Sequence, residues 1–168
     1  MAAIVEIRVS YGSTETVEAA DAADLNLLNA DVGSGQNPTN YPIPIPSEGS
    51  NYSFERWFRA YVADMGGSSV VKNFRVYADT DAPIPGTILR YGQAAAYQAP
   101  VNTASTIATA NIPTTEPAEN LYIGGTAGGE ITAAGSYTDY GVLQLEVPST
   151  ASLAGGTANI TVMWDEIA

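Results

Sequence analysis

Hydrophobic and polar residues alternate along several short stretches of the chain, as expected for β-strands that bury one face. From residue 5 to residue 11 the apolar side chains fall on odd positions and the polar ones on even positions. The same period of two recurs at 140–147 and 157–164. Shorter apolar runs predict further strands at 24–29, 70–77, 87–91, 106–110 and 121–123.

Residues 54–62 fit two patterns. Their aromatic and aliphatic residues recur at helical spacing, with Ser53 in the position of an N-cap. Alternation fits them as well, and aromatic residues and valine favour strands. Gly66 and Gly67 then separate the segment from the strand at 70–77, which is the arrangement of a β-hairpin. We predict a strand here, with a helix as the alternative.

Two strands late in the chain each have one apolar face, and these faces predict part of the hydrophobic core. The opposite face carries mainly polar residues, including Gln144, Glu146, Asn159 and Thr161. The expected core residues are Leu143, Leu145 and Val147 in the first strand and Ala158, Ile160, Val162 and Trp164 in the second.

Glycines and prolines separate the predicted strands at short intervals, which is typical of sandwich folds. We therefore predict an all-β fold: an antiparallel β-sandwich of the jelly-roll or immunoglobulin-like type, with its body in residues 51–168. Residues 1–50 are predicted to supply an N-terminal strand and an extended Pro-rich arm, packed on the body or exchanged with neighbours. The run Pro-Ile-Pro-Ile-Pro at 42–46 must be extended, because proline fixes its own φ and restricts the preceding residue.

The net charge of the chain limits the kinds of partner that it is expected to bind. Its 168 residues include 18 acidic and 6 basic side chains, for a net charge of −12. Such a chain repels phosphate backbones, so nucleic acid is not an expected partner. No apolar run is long enough to cross a membrane, and the first residues lack a secretory signal, which predicts synthesis in the cytoplasm if Met1 is the true start.

The residue types leave little room for catalysis. The chain has no cysteine and no histidine, which removes thiol nucleophiles and the commonest general base. Two acidic pairs remain, Asp79 with Asp81 and Asp165 with Glu166. Turn chemistry and a polar chain end explain them better than a carboxylate catalyst does. Calcium at Asp79 and Asp81 is the one cofactor that this spacing allows, and we predict no enzymatic activity.

Several ordered stretches resemble uncharacterised β-sandwich proteins of tailed phages that are encoded near head and capsid genes. They cover most of residues 50–166, from N-Y-S-F-E-R-W-F-R-A-Y-V and S-S-V-V-K-N-F-R-V-Y-A-D through Y-Q-A-P-V-N-T-A-S-T-I-A to Y-T-D-Y-G-V-L-Q-L-E-V and A-G-G-T-A-N-I-T-V-M-W-D-E. The stretch V-P-S-T-A-S-L-A-G-G-T-A-N-I-T-V is also similar to the last hairpin of bacterial immunoglobulin-like domains.

This resemblance implies a part of a virus particle, most specifically a capsid decoration or cement protein. The implied partners are the major capsid protein or other virion subunits and further copies of the same chain. The arm then offers strand addition to a neighbour, with the contact expected at Tyr41, Ile43, Ile45 and Trp57. A tail or fibre part, and an immunoglobulin-like module of the cell surface that adheres, binds sugar or forms filaments, are the alternatives.

Overall fold

A computed structural model describes all 168 residues of the chain, which form eleven strands and one short 3-10 helix at Pro38–Asn40. No helical segment has the length and hydropathy that crossing a membrane requires. The strands are β1 (Ile4–Tyr11), β2 (Thr16–Val17), β3 (Ser50–Tyr52), β4 (Arg56–Asp64), β5 (Val70–Ala78), β6 (Ile88–Ala94), β7 (Ala110–Asn111), β8 (Glu130–Ile131), β9 (Ser136–Tyr137), β10 (Tyr140–Pro148) and β11 (Ile160–Ile167).

The strands form two antiparallel sheets. The larger has eight strands in the order β2-β1-β4-β10-β6-β7, with β3 also paired to β10 and β9 to β4. The smaller sheet has the order β11-β5-β8, so β11 is an edge strand. The predicted all-β antiparallel sandwich is confirmed.

One hydrophobic core joins the two sheets. It is built from the inward faces of β4, β6 and β10 in the larger sheet and of β5 and β8 in the smaller. Phe58 and Phe74 are its largest completely buried members. Leu143, Leu145 and Val147 are buried as predicted, while the predicted face of the last strand is half-buried against this core.

A second, smaller core covers the outer face of the larger sheet. Trp57 and Val142 point to this face, and the segment 95–109 lies over them. The ring of Trp57 packs edge-on against Tyr97 at 5.1 Å and against Tyr140 at 5.5 Å between centroids. The larger sheet is therefore covered on both faces by this one chain.

The ambiguous segment 54–62 is a strand, as we predicted. β4 pairs with β1 on one side and with β10 on the other, and β5 follows the Gly66–Gly67 turn. Burial on both sides explains why its aromatic residues fit a helical spacing, since both faces of this strand are apolar.

The strand predicted at 24–29 is wrong. Its leucines do pack inward, with Leu28 buried. Its main chain, however, makes hydrogen bonds with groups that do not belong to a neighbouring strand ladder. The carbonyl of Leu28 accepts from the amide of Phe54, and that of Asn26 accepts from Arg56. These bonds hold the segment across the end of the sandwich, where no strand edge pairs with it.

Two further short strands were predicted wrongly. Of residues 106–110 only Ala110 lies in a strand, because Ser105 Oγ accepts from the amides of Ile107 and Ala108 and closes a turn. Residues 121–123 make only isolated bridges, one of them between Leu121 and Phe74.

The N-terminal region consists of a strand within the larger sheet and a separate Pro-rich run without regular secondary structure. β1 lies inside the larger sheet and pairs with β4 from Ile4 to Ser10. The Pro-rich run 42–46 belongs to no strand or helix. The exchange of this region between neighbours stays a prediction.

Candidate functional site

An apolar groove of about 870 Å³ lies between the two sheets and is here called the inter-sheet groove. Leu89, Leu143 and Leu145 of the larger sheet line it on one side. Residues from 22–45 and from 152–162 line it elsewhere. Leu153 is 93% exposed at this groove, which is unusual for a leucine.

Three of the four predicted contact residues line the inter-sheet groove. Tyr41, Ile43 and Ile45 are half-buried along it, whereas Pro44 between the two isoleucines is exposed on the opposite side. The alternation seen in the sequence therefore matches two sides of this segment, one toward the groove and one toward solvent.

Trp57, the fourth predicted contact residue, lies elsewhere. Its side chain is completely buried in the second core, on the outer face of the larger sheet. Its indole N–H donates to Glu55 Oε2 at 3.1 Å. A fully buried indole offers no surface to a partner, so the predicted contact does not extend to Trp57.

Arg56 holds one wall of the inter-sheet groove in place. Its guanidinium group is almost fully buried and donates to Asn26 O at 3.1 and 2.7 Å and to Val32 O at 2.5 Å. Burial lowers the pKa of Arg56, and the charges of Asp31 and Glu18 oppose that shift. The sequence does not reveal this role, because the partners of Arg56 are main-chain carbonyls.

Two carboxylates fasten the same region to the hairpin of β1 and β2. Glu18 accepts from the amide and the hydroxyl of Ser34, at 2.6 and 2.5 Å. Asp31 accepts from the amide of Gly12 at 2.9 Å. Burial raises the pKa of Asp31 despite that bond. These polar contacts keep the wall of the groove folded onto the body.

The inter-sheet groove is nearly free of charge. Asp24 is the only charged residue that lines it, in a chain whose net charge is −12. The basic side chains lie elsewhere: Lys72, Arg75 and Arg90 pair with carboxylates on the two sheets. The groove therefore contains no basic side chain that could pair with an acidic ligand.

Asp79 and Asp81, the candidate calcium ligands beside the favoured interpretation as turn residues, accept hydrogen bonds from different asparagines. Asp79 accepts from the amide of Asn159 at 2.9 Å and from its side chain at 2.7 Å, and Asp81 accepts from Asn111 at 2.9 Å. Nowhere in the chain do three or more histidine, cysteine, aspartate or glutamate residues cluster as metal ligands. The two aspartates fix loops in the arrangement that the structure shows.

Glu166 connects the end of β11 to the start of the chain. Its carboxylate accepts from Ala3 N at 3.0 Å, from Ser68 Oγ at 2.6 Å and from Trp164 Nε1 at 2.9 Å. The Ser68 hydroxyl, followed by the Trp164 indole, lowers the pKa of Glu166 below its ordinary value. This carboxylate therefore connects β11 of the smaller sheet to the residue before β1 and to the turn between β4 and β5.

Acid should destabilise the fold through such carboxylates. The pKa values of Glu166, Asp165 and Asp79 are all lowered by hydrogen bonds in the folded chain. A lowered pKa contributes stability above the ordinary values of 4.5 for glutamate and 3.8 for aspartate, and that stability is lost as the pH falls through the folded values. We expect the melting temperature, followed by circular dichroism, to fall between about pH 5 and pH 2.

The variant Glu166→Gln tests the assignment to a particular carboxylate. It should melt below the wild type at neutral pH and lose less stability on acidification, because it has no proton to gain. A wild-type melting temperature that is constant across the acid range would contradict the prediction.

Comparison with protein-family models, with curated proteins and with solved structures gives no match. The fold and the groove therefore define only a class: an antiparallel β-sandwich protein whose two sheets enclose an open apolar groove at one end. Leu153, Ile160 and Val162 complete this site and were not predicted as contact residues. For Ile160 and Val162 the signal in the sequence was an apolar alternation, which also fits a closed core, whereas Leu153 lies outside that alternation.

Proposed function

We propose that this protein is a non-enzymatic structural component of a virus particle, which binds the outside of the capsid shell and stabilises it. The observation that supports this proposal is the inter-sheet groove, an apolar surface that the folded chain leaves open. Concave, mainly apolar clefts with a few polar groups are a common form of binding site. The resemblance to head-associated phage proteins gives the shell as the partner.

The way in which the groove is built suits a stabilising part. Its walls are tied to the body by Arg56, Glu18 and Asp31, so the surface is formed before a partner arrives. A preformed surface loses little conformational entropy on binding. If many copies bind at symmetric positions, this small entropy cost applies at each site of the shell.

Two charged substitutions in the groove should abolish attachment. In the variant Ile43→Asp with Ile45→Asp, two carboxylates would have to be buried without partners, which costs several kcal/mol. We expect binding to empty shells, assembled from the major capsid protein encoded with this chain, to fall by more than about tenfold in co-sedimentation.

The matched control is Pro44→Asp with Ser47→Asp, which adds the same charge to exposed positions of the same segment outside the groove. This variant should bind shells like the wild type. Equal binding by both double variants would refute the groove as the attachment site. Filaments formed by the purified wild type, without attachment to shells, would support the cell-surface alternative instead.

A further inference from the structure

The direction of the main chain at the start of β11 follows from the bonds of its neighbour β5. Val162 lies opposite Val76. The amide of Val76 donates to Asn120 Oδ1 at 2.7 Å, and its carbonyl accepts from Asn120 Nδ2 at 2.8 Å. Since both groups of Val76 turn away from β11, the facing pair is of the non-hydrogen-bonded kind. The amide and carbonyl of Val162 therefore point to the open edge of β11.

Ile160 has the same orientation. It lies opposite Ala78, whose amide donates away from β11 to Pro113 O at 2.9 Å. β11 has no strand on its other side. Two amides and two carbonyls, at Ile160 and Val162, are thus directed outward from the edge at spacing i, i+2, which is the spacing of a strand ladder.

Both residues also line the inter-sheet groove with their side chains. One element of the groove therefore offers main-chain hydrogen bonds beside an apolar cavity. A ligand can use both only if it is itself an extended peptide, whose backbone pairs with β11 while alternate side chains enter the groove.

We propose that the inter-sheet groove binds an extended segment of a partner protein, which adds as a strand to the open edge of β11. This inference rests on the proposed function and specifies the form of the shell segment that is bound. Apolar side chains at every second position fill the groove beside Leu25, Leu27 and Ile160. The segment lacks acidic residues, because the groove presents Asp24 and no cation.

Electrostatics also select the partner over a second copy of this chain. Each copy carries a net charge of −12, so two copies repel one another as they approach. A basic segment is attracted by the same charge and a neutral one is not repelled by it, and the lysines or arginines of a basic segment can lie beside Asp24 in the groove.

A displayed library of random twelve-residue peptides, selected on the full chain, tests this inference whatever the sequence of the shell protein. We expect enriched peptides to alternate apolar residues with others and to lack aspartate and glutamate. On binding such a peptide, the amides of Ile160 and Val162 should become protected from hydrogen exchange by NMR, whereas Thr161, already directed to β5, should change little.

The variant Ile160→Pro removes one outward amide at the first residue of β11, a position where strands tolerate proline. It should weaken peptide binding by about tenfold, while Ile160→Val, which keeps the amide, should bind within about twofold of the wild type. The exchange measurement on the wild type decides the question if Ile160→Pro does not fold.

Absence of enriched peptides, enriched peptides without alternation, or unprotected amides at Ile160 and Val162 would each overturn the inference. A dimer in which these amides are protected without peptide would assign the groove to a second copy and overturn it too. Peptide binding without shell attachment would refute the proposed function alone. Shell attachment that leaves both amides unprotected would refute only the strand addition.

Discussion

Replacing Arg56 with methionine should lower the free energy of unfolding by about 2–4 kcal/mol and loosen residues 24–34. Methionine has a similar length and fills much of the same space, but it cannot donate hydrogen bonds. The carbonyls of Asn26 and Val32 would then lose a charged donor in a site that is closed to solvent. Each unsatisfied carbonyl costs about 1–3 kcal/mol. Urea unfolding gives the loss of stability, and limited proteolysis locates the loosened segment.

The control is Lys72→Met, which removes the cation of an exposed ion pair that a single hydrogen bond joins to Glu130. Exposed pairs contribute about 0–1 kcal/mol, so this variant should unfold close to the wild type. A similar loss in both variants would show that burial of the Arg56 guanidinium carries no special weight.

Replacing Gly92 with alanine should cost about 2–3 kcal/mol and disturb the outer face of the larger sheet. A β-carbon at this position would lie 2.0 Å from Ile107 O and 2.6 Å from Ile107 C. These are main-chain atoms of the segment that covers Trp57, so the whole segment has to move. Denaturant unfolding measures the cost, and the fluorescence of Trp57, isolated in a Trp164→Phe background, should shift to longer wavelength.

Gly155→Ala is the matched control, because a β-carbon there meets no atom within 4 Å. It should leave both stability and fluorescence close to the wild type. Normal emission from Trp57 in the Gly92→Ala variant would contradict the prediction that the cover is displaced.

The sequence predicted the fold class because long strands with clear patterns dominate it. β1, β10 and β11 each follow an alternation of period two, and β4 was identified from its residue types and the following Gly66–Gly67 turn. The failures came where side chains bind the main chain. Arg56 donates a hydrogen bond to the carbonyl of Asn26, and Ser105 Oγ accepts hydrogen bonds from the amides of Ile107 and Ala108. Hydrogen bonds of this kind, whether long-range or local, leave no periodic pattern in the sequence.

The candidate site could be predicted only in part, for the same kind of reason. Tyr41, Ile43 and Ile45 alternate with prolines, and this fixed one side of the segment as apolar before its neighbours were known. Their position across from β11 depends on how two distant segments fold over the end of the sandwich. Trp57 was placed on a surface because an aromatic residue in a strand does not reveal that another segment covers it.

The central position of β10 determines when this protein can fold during its synthesis. β10 pairs with β3, β4 and β6, yet it begins only at residue 140 of 168. Until that residue leaves the ribosome, the earlier strands have no common partner and expose their edges and apolar faces. The larger sheet can therefore be completed only after β10 has been synthesised, and folding should be slow for the size of the domain, as expected for pairings between distant segments. Nascent chains should depend on chaperones, and truncation before β10 should yield aggregates rather than a smaller domain.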